Sequence, residues 1–124
     1  MNERARSIAG LLLLLLVLAV SAGMSWWQGA SERRLGERLA AAARPGDIRM
    51  LSSDTCVFCA AARRWMTENR VRFDECSIER DPQCKALYDA TLARGTPTLL
   101  VRGQAQLGFD AQRVLAALER APGG

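Results

Sequence analysis

The sequence contains no histidine among its 124 residues. This absence removes the imidazole base of Ser/His and Cys/His catalysis, together with the commonest metal ligand of proteins. Long basic runs are also missing, because the adjacent basic pairs are only Arg33 with Arg34 and Arg63 with Arg64. No aromatic stacking platform accompanies either pair, so the net charge of +4 predicts a solvated surface and no nucleic-acid partner. The chemistry is left to sulfur, carboxylate or backbone groups.

A long segment close to the N-terminus lacks charge. No residue from 7 to 31 is charged, and a helix over residues 8–27 is long enough to cross a bilayer core, which needs about 20 residues. Trp26 and Trp27 then fall at the level of an interfacial aromatic belt. We therefore predict a transmembrane or signal-anchor segment over residues 1–28.

A cleaved signal peptide is the alternative for the same segment, because Val20-Ser21-Ala22 offers the small residues that a signal peptidase prefers. The apolar run is longer than a usual signal core, which favours a retained anchor. The short N-terminal tail favours a folded part on the non-cytosolic (periplasmic or extracytoplasmic) side, and an additional cysteine pair is compatible with an oxidising compartment.

A polar helical segment is predicted next. Residues 29–46 are interpreted as a juxtamembrane linker, in which Leu35 and Leu39 lie one turn apart on the same helical face. The linker ends at Arg44-Pro45-Gly46, since proline and glycine interrupt helices. A folded domain is predicted over residues 47–124.

Short apolar runs alternate with helical periodicity in that domain and predict an α/β fold with the order β-α-β-α-β-β-α. Asp81 followed by Pro82 is a typical helix start, and Asp110 is expected to cap the last helix. The predicted strands cover residues 48–51, 71–76, 98–101 and 105–107, and the first helix covers residues 59–69.

Two cysteines of the motif Cys56-Val57-Phe58-Cys59 lie where the first strand passes into the first helix. A thiol at a helix N-terminus meets unpaired backbone N–H groups and the positive end of the helix dipole, and both favour the thiolate. We therefore predict Cys56 as the nucleophile and Cys59 as the resolving residue of thiol–disulfide exchange. Thr55 is expected to cap the helix.

Other interpretations of the cysteines remain open from spacing alone. Structural zinc sites and structural disulfides also use the C-x-x-C spacing. A zinc site is disfavoured because seven residues separate Cys76 from Cys84, more than the two to four of a zinc knuckle, and no metal is predicted. Cys76 and Cys84 either form a second disulfide or remain two separate thiols.

A second motif, Gly95-Thr96-Pro97-Thr98, precedes a strand about forty residues after the cysteines. With this motif the chain from Ile48 to about Glu119 resembles the glutaredoxin family of the thioredoxin-fold superfamily. The resemblance implies a cis peptide bond before Pro97 and a Thr96 backbone that binds substrate or glutathione. Together with the predicted N-terminal anchor, it indicates a membrane-anchored glutaredoxin-like protein.

The active-site details depart from cytosolic glutaredoxins. Those proteins usually carry a basic residue before the first cysteine and Pro-Tyr between the two, whereas this chain has Ser52-Ser53-Asp54 and Val57-Phe58. Phe58 keeps an aromatic contact surface, and Asp110 is the predicted partner for the amine of glutathione.

The resemblance implies a thiol–disulfide oxidoreductase that holds no cofactor and exchanges with protein thiols or disulfides, or with glutathione as co-substrate. The alternative is a non-catalytic thioredoxin-like adaptor or a zinc-binding module at the membrane.

Overall fold

A computed structural model describes residues 2–120 of the chain. The described residues divide into two compact units, one up to Arg34 and the other from Leu35 onward. The elements are α1 (Glu3–Ala42), β1 (Ile48–Ser52), α2 (Val57–Glu68), β2 (Asp74–Ser77), α3 (Pro82–Ala90), β3 (Thr98–Val101), β4 (Gln104–Leu107) and α4 (Ala111–Arg120). The predicted α/β order is confirmed.

The first unit consists of the N-terminal part of α1. Its apolar side chains are exposed all around the helix, including every leucine from Leu11 to Leu16. Among the described residues, α1 is the one helix long and apolar enough to cross a membrane. A helix of this kind is a candidate transmembrane or signal anchor.

The second unit is built on one mixed four-stranded sheet in the order β2-β1-β3-β4. β1 pairs in parallel with β2, so that Leu51 lies opposite Cys76, and antiparallel with β3, so that Leu51 also lies opposite Thr98. Since β1 is buried at four of its five positions, its carboxyl end leads out of the core directly into the cysteine motif.

The hairpin between β3 and β4 turns at Arg102 and Gly103. Both residues have positive φ, 48° and 84°, as a two-residue hairpin turn of the primed type requires. Gly103 takes this conformation without the steric cost that a Cβ atom carries. The guanidinium of Arg102 donates to the Leu118 carbonyl at 2.8 Å and forms an ion pair with Asp47, which ties the hairpin to α4 and to the start of β1.

The hydrophobic core draws on all parts of the second unit. Its fully buried members include Ile48 and Met50 of β1, Met66 of α2 and Val114 of α4. The last turns of α1 also belong to it, since Leu39 is 0% exposed. The compact unit thus begins at Leu35, before the predicted domain start at residue 47, because Leu39 and Ala43 are buried in the same core. The predicted division at residues 28 and 46 stays a prediction.

Two element boundaries differ from the sequence expectation. The second strand covers Asp74–Ser77 and not residues 71–76, because Val71 is buried in the core without strand pairing. The first helix begins at Val57, two residues before the predicted start at Cys59. Hydrophobic periodicity marks buried positions and does not separate a strand from the irregular segment that leads into it.

Candidate active site

Cys56 is itself the N-cap of α2. Its backbone is extended, with φ −86° and ψ 108°, and its Sγ atom accepts a hydrogen bond of 3.0 Å from the Cys59 backbone N–H. The expectation that Thr55 caps this helix is therefore wrong. A sulfur atom takes the place that a Ser or Asp oxygen occupies in most helix caps, so it receives both the N–H donor and the helix dipole.

The two cysteines of the motif differ in access to solvent. They are joined by a disulfide with a Cα–Cα distance of 5.2 Å. Cys59 is 0% exposed, whereas Cys56 is partly exposed. An incoming molecule can therefore approach Cys56 more easily than Cys59. The roles of attacking and resolving residue stay predictions.

A polar cavity of about 450 Å³ opens beside Cys56, at the side of β2. Its charged lining residues are already paired: Arg80 Nε lies 2.9 Å from Asp54 Oδ1, and Arg63 forms a bidentate pair with Glu75. The side-chain hydrogen bond with Glu75 raises the pKa of Arg63. The cavity is therefore close to electrically neutral and offers no unbalanced positive charge to an anion.

An apolar cavity of about 460 Å³ opens on the other side of the motif. The Thr96–Pro97 peptide bond at its wall is cis, as the resemblance implied. Phe58 also lines this cavity and is 76% exposed. Trp65 and Phe109 pack against each other with ring centroids 5.3 Å apart and form part of the lining. This surface suits an apolar side chain, and it adjoins the C-x-x-C motif through Phe58.

Asp110 has a structural role at the start of α4. Its Oδ1 atom accepts a hydrogen bond of 3.0 Å from the Arg113 backbone N–H, which is the predicted cap. Asp110 is not among the residues that line the apolar cavity, whereas Thr96, Pro97 and Phe58 are. Its predicted contact with the amine of glutathione stays a prediction.

Cys76 and Cys84 form the second disulfide, with a Cα–Cα distance of 6.0 Å. The bond joins the end of β2 to the first turn of α3, where Asp81 caps the helix by accepting from the N–H groups of Gln83 and Cys84. Cys84 is buried, and Cys76 lines the same polar cavity as Cys56. Of the two arrangements left open by the sequence, the structure has the bonded one.

Within residues 2–120, no group of three or more Cys, Asp or Glu side chains is placed to hold a metal ion. All four cysteines of the chain are in disulfides.

Comparison with known proteins identifies a similar family and similar folds. Residues 48–105 match the family model described as Glutaredoxin. This part of the chain, slightly less than half of it, is thus similar to glutaredoxins. No curated protein sequence matches the chain. Among solved structures, a mutant of the thioredoxin-like protein BC3987 aligns with a TM-score of 0.53 at 20% identity, covering 60% of this chain and 96% of that one.

The unsubstituted BC3987 structure aligns with a TM-score of 0.50 at 20% identity, covering 56% and 97% of the two chains. The glutaredoxin from Methanosarcina mazei Go1 aligns at 0.49 and 22% identity, covering 59% and 78%. The thioredoxin-like fold is confirmed. Glutaredoxins are thiol oxidoreductases that typically use glutathione, so the match over residues 48–105 and the C-x-x-C pair within it support a thiol oxidoreductase function.

A polar network next to Cys56 was not predicted from the sequence. It connects Ser53 and Asp54, which lead into the motif, with Ser77, Glu79 and Arg80, which follow β2. Its hydrogen bonds join residues 23 to 26 positions apart, and only the parallel pairing of β1 with β2 brings them together. In the sequence, the run Ser52-Ser53-Asp54 differs from the basic residue that cytosolic glutaredoxins usually carry before the first cysteine, and it gives no other indication of this network.

Proposed function

We propose that this protein is a membrane-anchored thiol–disulfide oxidoreductase of glutaredoxin type, in which Cys56 attacks and Cys59 resolves. The observation that carries the proposal is the position of Cys56. Cys56 is partly exposed, and its sulfur lies at a helix N-terminus and receives a backbone N–H at 3.0 Å, whereas its partner Cys59 is fully buried. These are the conditions that favour a reactive thiolate over an inert thiol.

The reductive direction proceeds in two exchanges. The Cys56 thiolate attacks one sulfur of a substrate disulfide, the substrate S–S bond breaks, and the other substrate sulfur leaves as a thiolate. Cys59 then loses its proton and attacks Cys56 Sγ, which forms the Cys56–Cys59 disulfide and releases the second substrate thiolate. The substrate gains two electrons and the enzyme dithiol loses them. The oxidative direction is the reverse of these steps.

Substrate orientation is assigned to the wall around the cis peptide bond. The Thr96 backbone N–H and carbonyl make no hydrogen bond within residues 2–120, so they are available to an extended chain. Phe58 lies on the same cavity and supplies an exposed apolar surface. The substrate disulfide belongs either to a protein or to a mixed disulfide with glutathione, and the apolar lining favours the protein disulfide.

The proposed setting is a retained N-terminal anchor with the domain on the non-cytosolic side of the membrane. The exposed apolar surface of α1 supports the anchor, because leucine side chains of this kind are stable in lipid and costly in water.

The test is the rate of disulfide exchange by the full chain in detergent micelles. A protein disulfide and a glutathione mixed disulfide serve as separate substrates. Cys56→Ser is expected to reduce both rates to background, whereas Thr55→Ser, one residue earlier and outside both cavities, keeps the activity. Unchanged exchange by Cys56→Ser would refute the catalytic assignment. Activity with the glutathione substrate alone would reject the preference for protein disulfides.

A further inference from the structure

The loop that delivers Cys56 is held by the turn that follows β2. Glu79 provides most of the contacts: its Oε1 atom accepts from Ser53 Oγ at 2.5 Å, and its Oε2 atom accepts from the Asp54 backbone N–H at 3.2 Å. The hydroxyl of Ser77 lies 2.9 Å from Asp54 Oδ1 and 3.0 Å from Glu79 Oε2. One carboxylate thus binds Ser53 and Asp54, which lie three and two positions before the cap.

The backbone reinforces the same connection. The Ile78 N–H donates to the Ser52 carbonyl at 2.9 Å, and the Cys56 N–H donates to the Ser53 carbonyl at 3.3 Å. These two hydrogen bonds connect the turn through Ser52 and Ser53 to the N-cap cysteine.

The second disulfide closes this turn at both ends. Cys76 is the residue before Ser77, and Cys84 lies in the first turn of α3, eight positions further along the chain. The covalent bond removes conformational freedom from the intervening segment, which carries Ser77, Glu79 and Arg80. Cys76 and Cys56 also line the same cavity, so the second disulfide lies close to the proposed reactive residue.

We infer that the turn from Ser77 to Arg80, clamped by the Cys76–Cys84 disulfide, holds Cys56 in its helix-cap position and thereby lowers the pKa of its thiol, with Glu79 as the positioning residue. The inference rests on the proposed role of Cys56. It gives the second disulfide a function in the reactivity of the first pair without any exchange of electrons between the two.

The negative charge of Glu79 and its role in holding the cap have opposite effects on the pKa of the Cys56 thiol, which makes the inference testable. If Glu79 acts only as a nearby negative charge, its removal lowers the Cys56 pKa. If Glu79 holds the cap, its removal loosens the contact with the Cys59 N–H and the helix dipole, and the Cys56 pKa rises. The sign of the shift separates the two.

The experiment uses the full chain with Cys59→Ser in detergent micelles, so that Cys56 is a free thiol while Cys76 and Cys84 remain bonded. The rate of Cys56 alkylation by iodoacetamide, a neutral reagent, is followed against pH, with mass spectrometry to locate the adduct and to check the second disulfide. The mid-point of this profile is the Cys56 pKa, and its measurement requires no enzymatic turnover.

We expect Glu79→Gln to raise the Cys56 pKa by about half a unit or more, and Cys76→Ser with Cys84→Ser to raise it in the same direction without any change of charge. Ser53→Ala removes one contact of Glu79 without touching the core, and a smaller rise is expected, which also covers the case of a poorly folded Glu79 variant. Glu68→Gln, the matched charge change at the far end of α2, should leave the pKa unchanged.

A lower or unchanged pKa in Glu79→Gln, or an unchanged pKa in the cysteine double variant, would overturn the inference. These results are distinct from failure of the proposed function. The proposed function is tested by the activity of Cys56→Ser, whereas the inference is tested by the pKa of the Cys56 thiol.

Discussion

The backbone nitrogen of Cys59 donates a hydrogen bond of 3.0 Å to the sulfur of Cys56. The same donor is available to the thiolate after reduction of the disulfide, because it belongs to the first turn of α2 and does not depend on the S–S bond. Cys59 thus contributes twice, through its backbone to the stability of the Cys56 thiolate and through its side chain to resolution.

This double contribution predicts the behaviour of Cys59→Ser. The variant keeps the N–H donor and loses the resolving sulfur, so Cys56 should still attack a protein disulfide and then remain in a mixed disulfide with it. Intact-mass analysis after incubation with a protein disulfide should show the covalent adduct. The double variant Cys56→Ser/Cys59→Ser serves as the control and should form no adduct. An adduct through Cys76 or Cys84 would contradict the assignment.

Phe58→Ala is expected to weaken substrate binding without affecting folding. The side chain is 76% exposed in the free protein, so its truncation should change the free energy of unfolding by less than about 0.5 kcal/mol. Burial of the ring by substrate contributes about 1.5 kcal/mol or more, which corresponds to a roughly tenfold increase in KM. Val57→Ala is the matched control, because Val57 is equally exposed but does not line the apolar cavity. Equal KM values for the two variants would contradict the prediction.

Asp47 should make stability depend on pH. Burial raises the pKa of its carboxyl, but hydrogen bonds from the Arg44 N–H and the Arg102 guanidinium outweigh that effect and hold the pKa below its usual value. A lowered pKa in the folded state stabilises the protein above the pKa of the unfolded chain, and this contribution is lost as the pH falls through the folded value.

We therefore expect Asp47→Asn to reduce the free energy of unfolding by about 1 kcal/mol at neutral pH. The difference from the natural protein should shrink as the pH falls from about 5 to 2. Denaturant unfolding at several pH values measures it. Asp89→Asn is the control, since the exposed Lys85–Asp89 pair should contribute little. A difference that stays constant with pH would exclude the role of the ionised carboxylate.

Gly36 is a place where a larger residue cannot be accommodated without movement. It is a buried helical residue of α1, and a Cβ atom there would overlap the side chain of Asn69, whose Nδ2 donates to the Trp65 carbonyl at 2.9 Å. Gly36→Ala gains up to about 1 kcal/mol of helix propensity. We expect overpacking to exceed this gain and to lower stability by about 1 kcal/mol overall.

Substitution of Asn69 tests whether its side chain causes the destabilisation by Gly36→Ala. In a background of Asn69→Ala, Gly36→Ala should cost less than half as much, and this coupling can be measured by a double-mutant cycle of unfolding free energies. Additive effects of the two substitutions would show that the Asn69 contact is not responsible.

A retained anchor predicts that the natural chain stays with the membrane fraction after alkaline extraction, and that its mass includes residues 1–28. The physical reason is that about 20 apolar residues in a helix resist transfer to water. Substitution of Leu13 and Leu14 by Arg should release the protein. A soluble mature chain that begins just after Ala22 would establish a cleaved signal peptide instead.

The sequence by itself determined those features that depend on neighbouring residues. The alternation of apolar runs with helical periodicity was sufficient for the order of elements. Asp81-Pro82 and Asp110 indicated two helix starts through local capping, and the structure has both. The C-x-x-C motif indicated a redox pair because its residues lie within one helical turn of each other.

Tertiary structure alone decided the rest. The parallel register of β1 with β2 brings Cys76 close to the cysteine motif and Glu79 against Ser53, although 26 positions separate Glu79 from Ser53. Burial of Leu39 in the core joins the end of α1 to the domain, which local helical pattern could not distinguish from an exposed spacer. These arrangements arise from contacts between segments far apart in the chain, and a hydrophobic pattern specifies that a side chain is buried without specifying its neighbour.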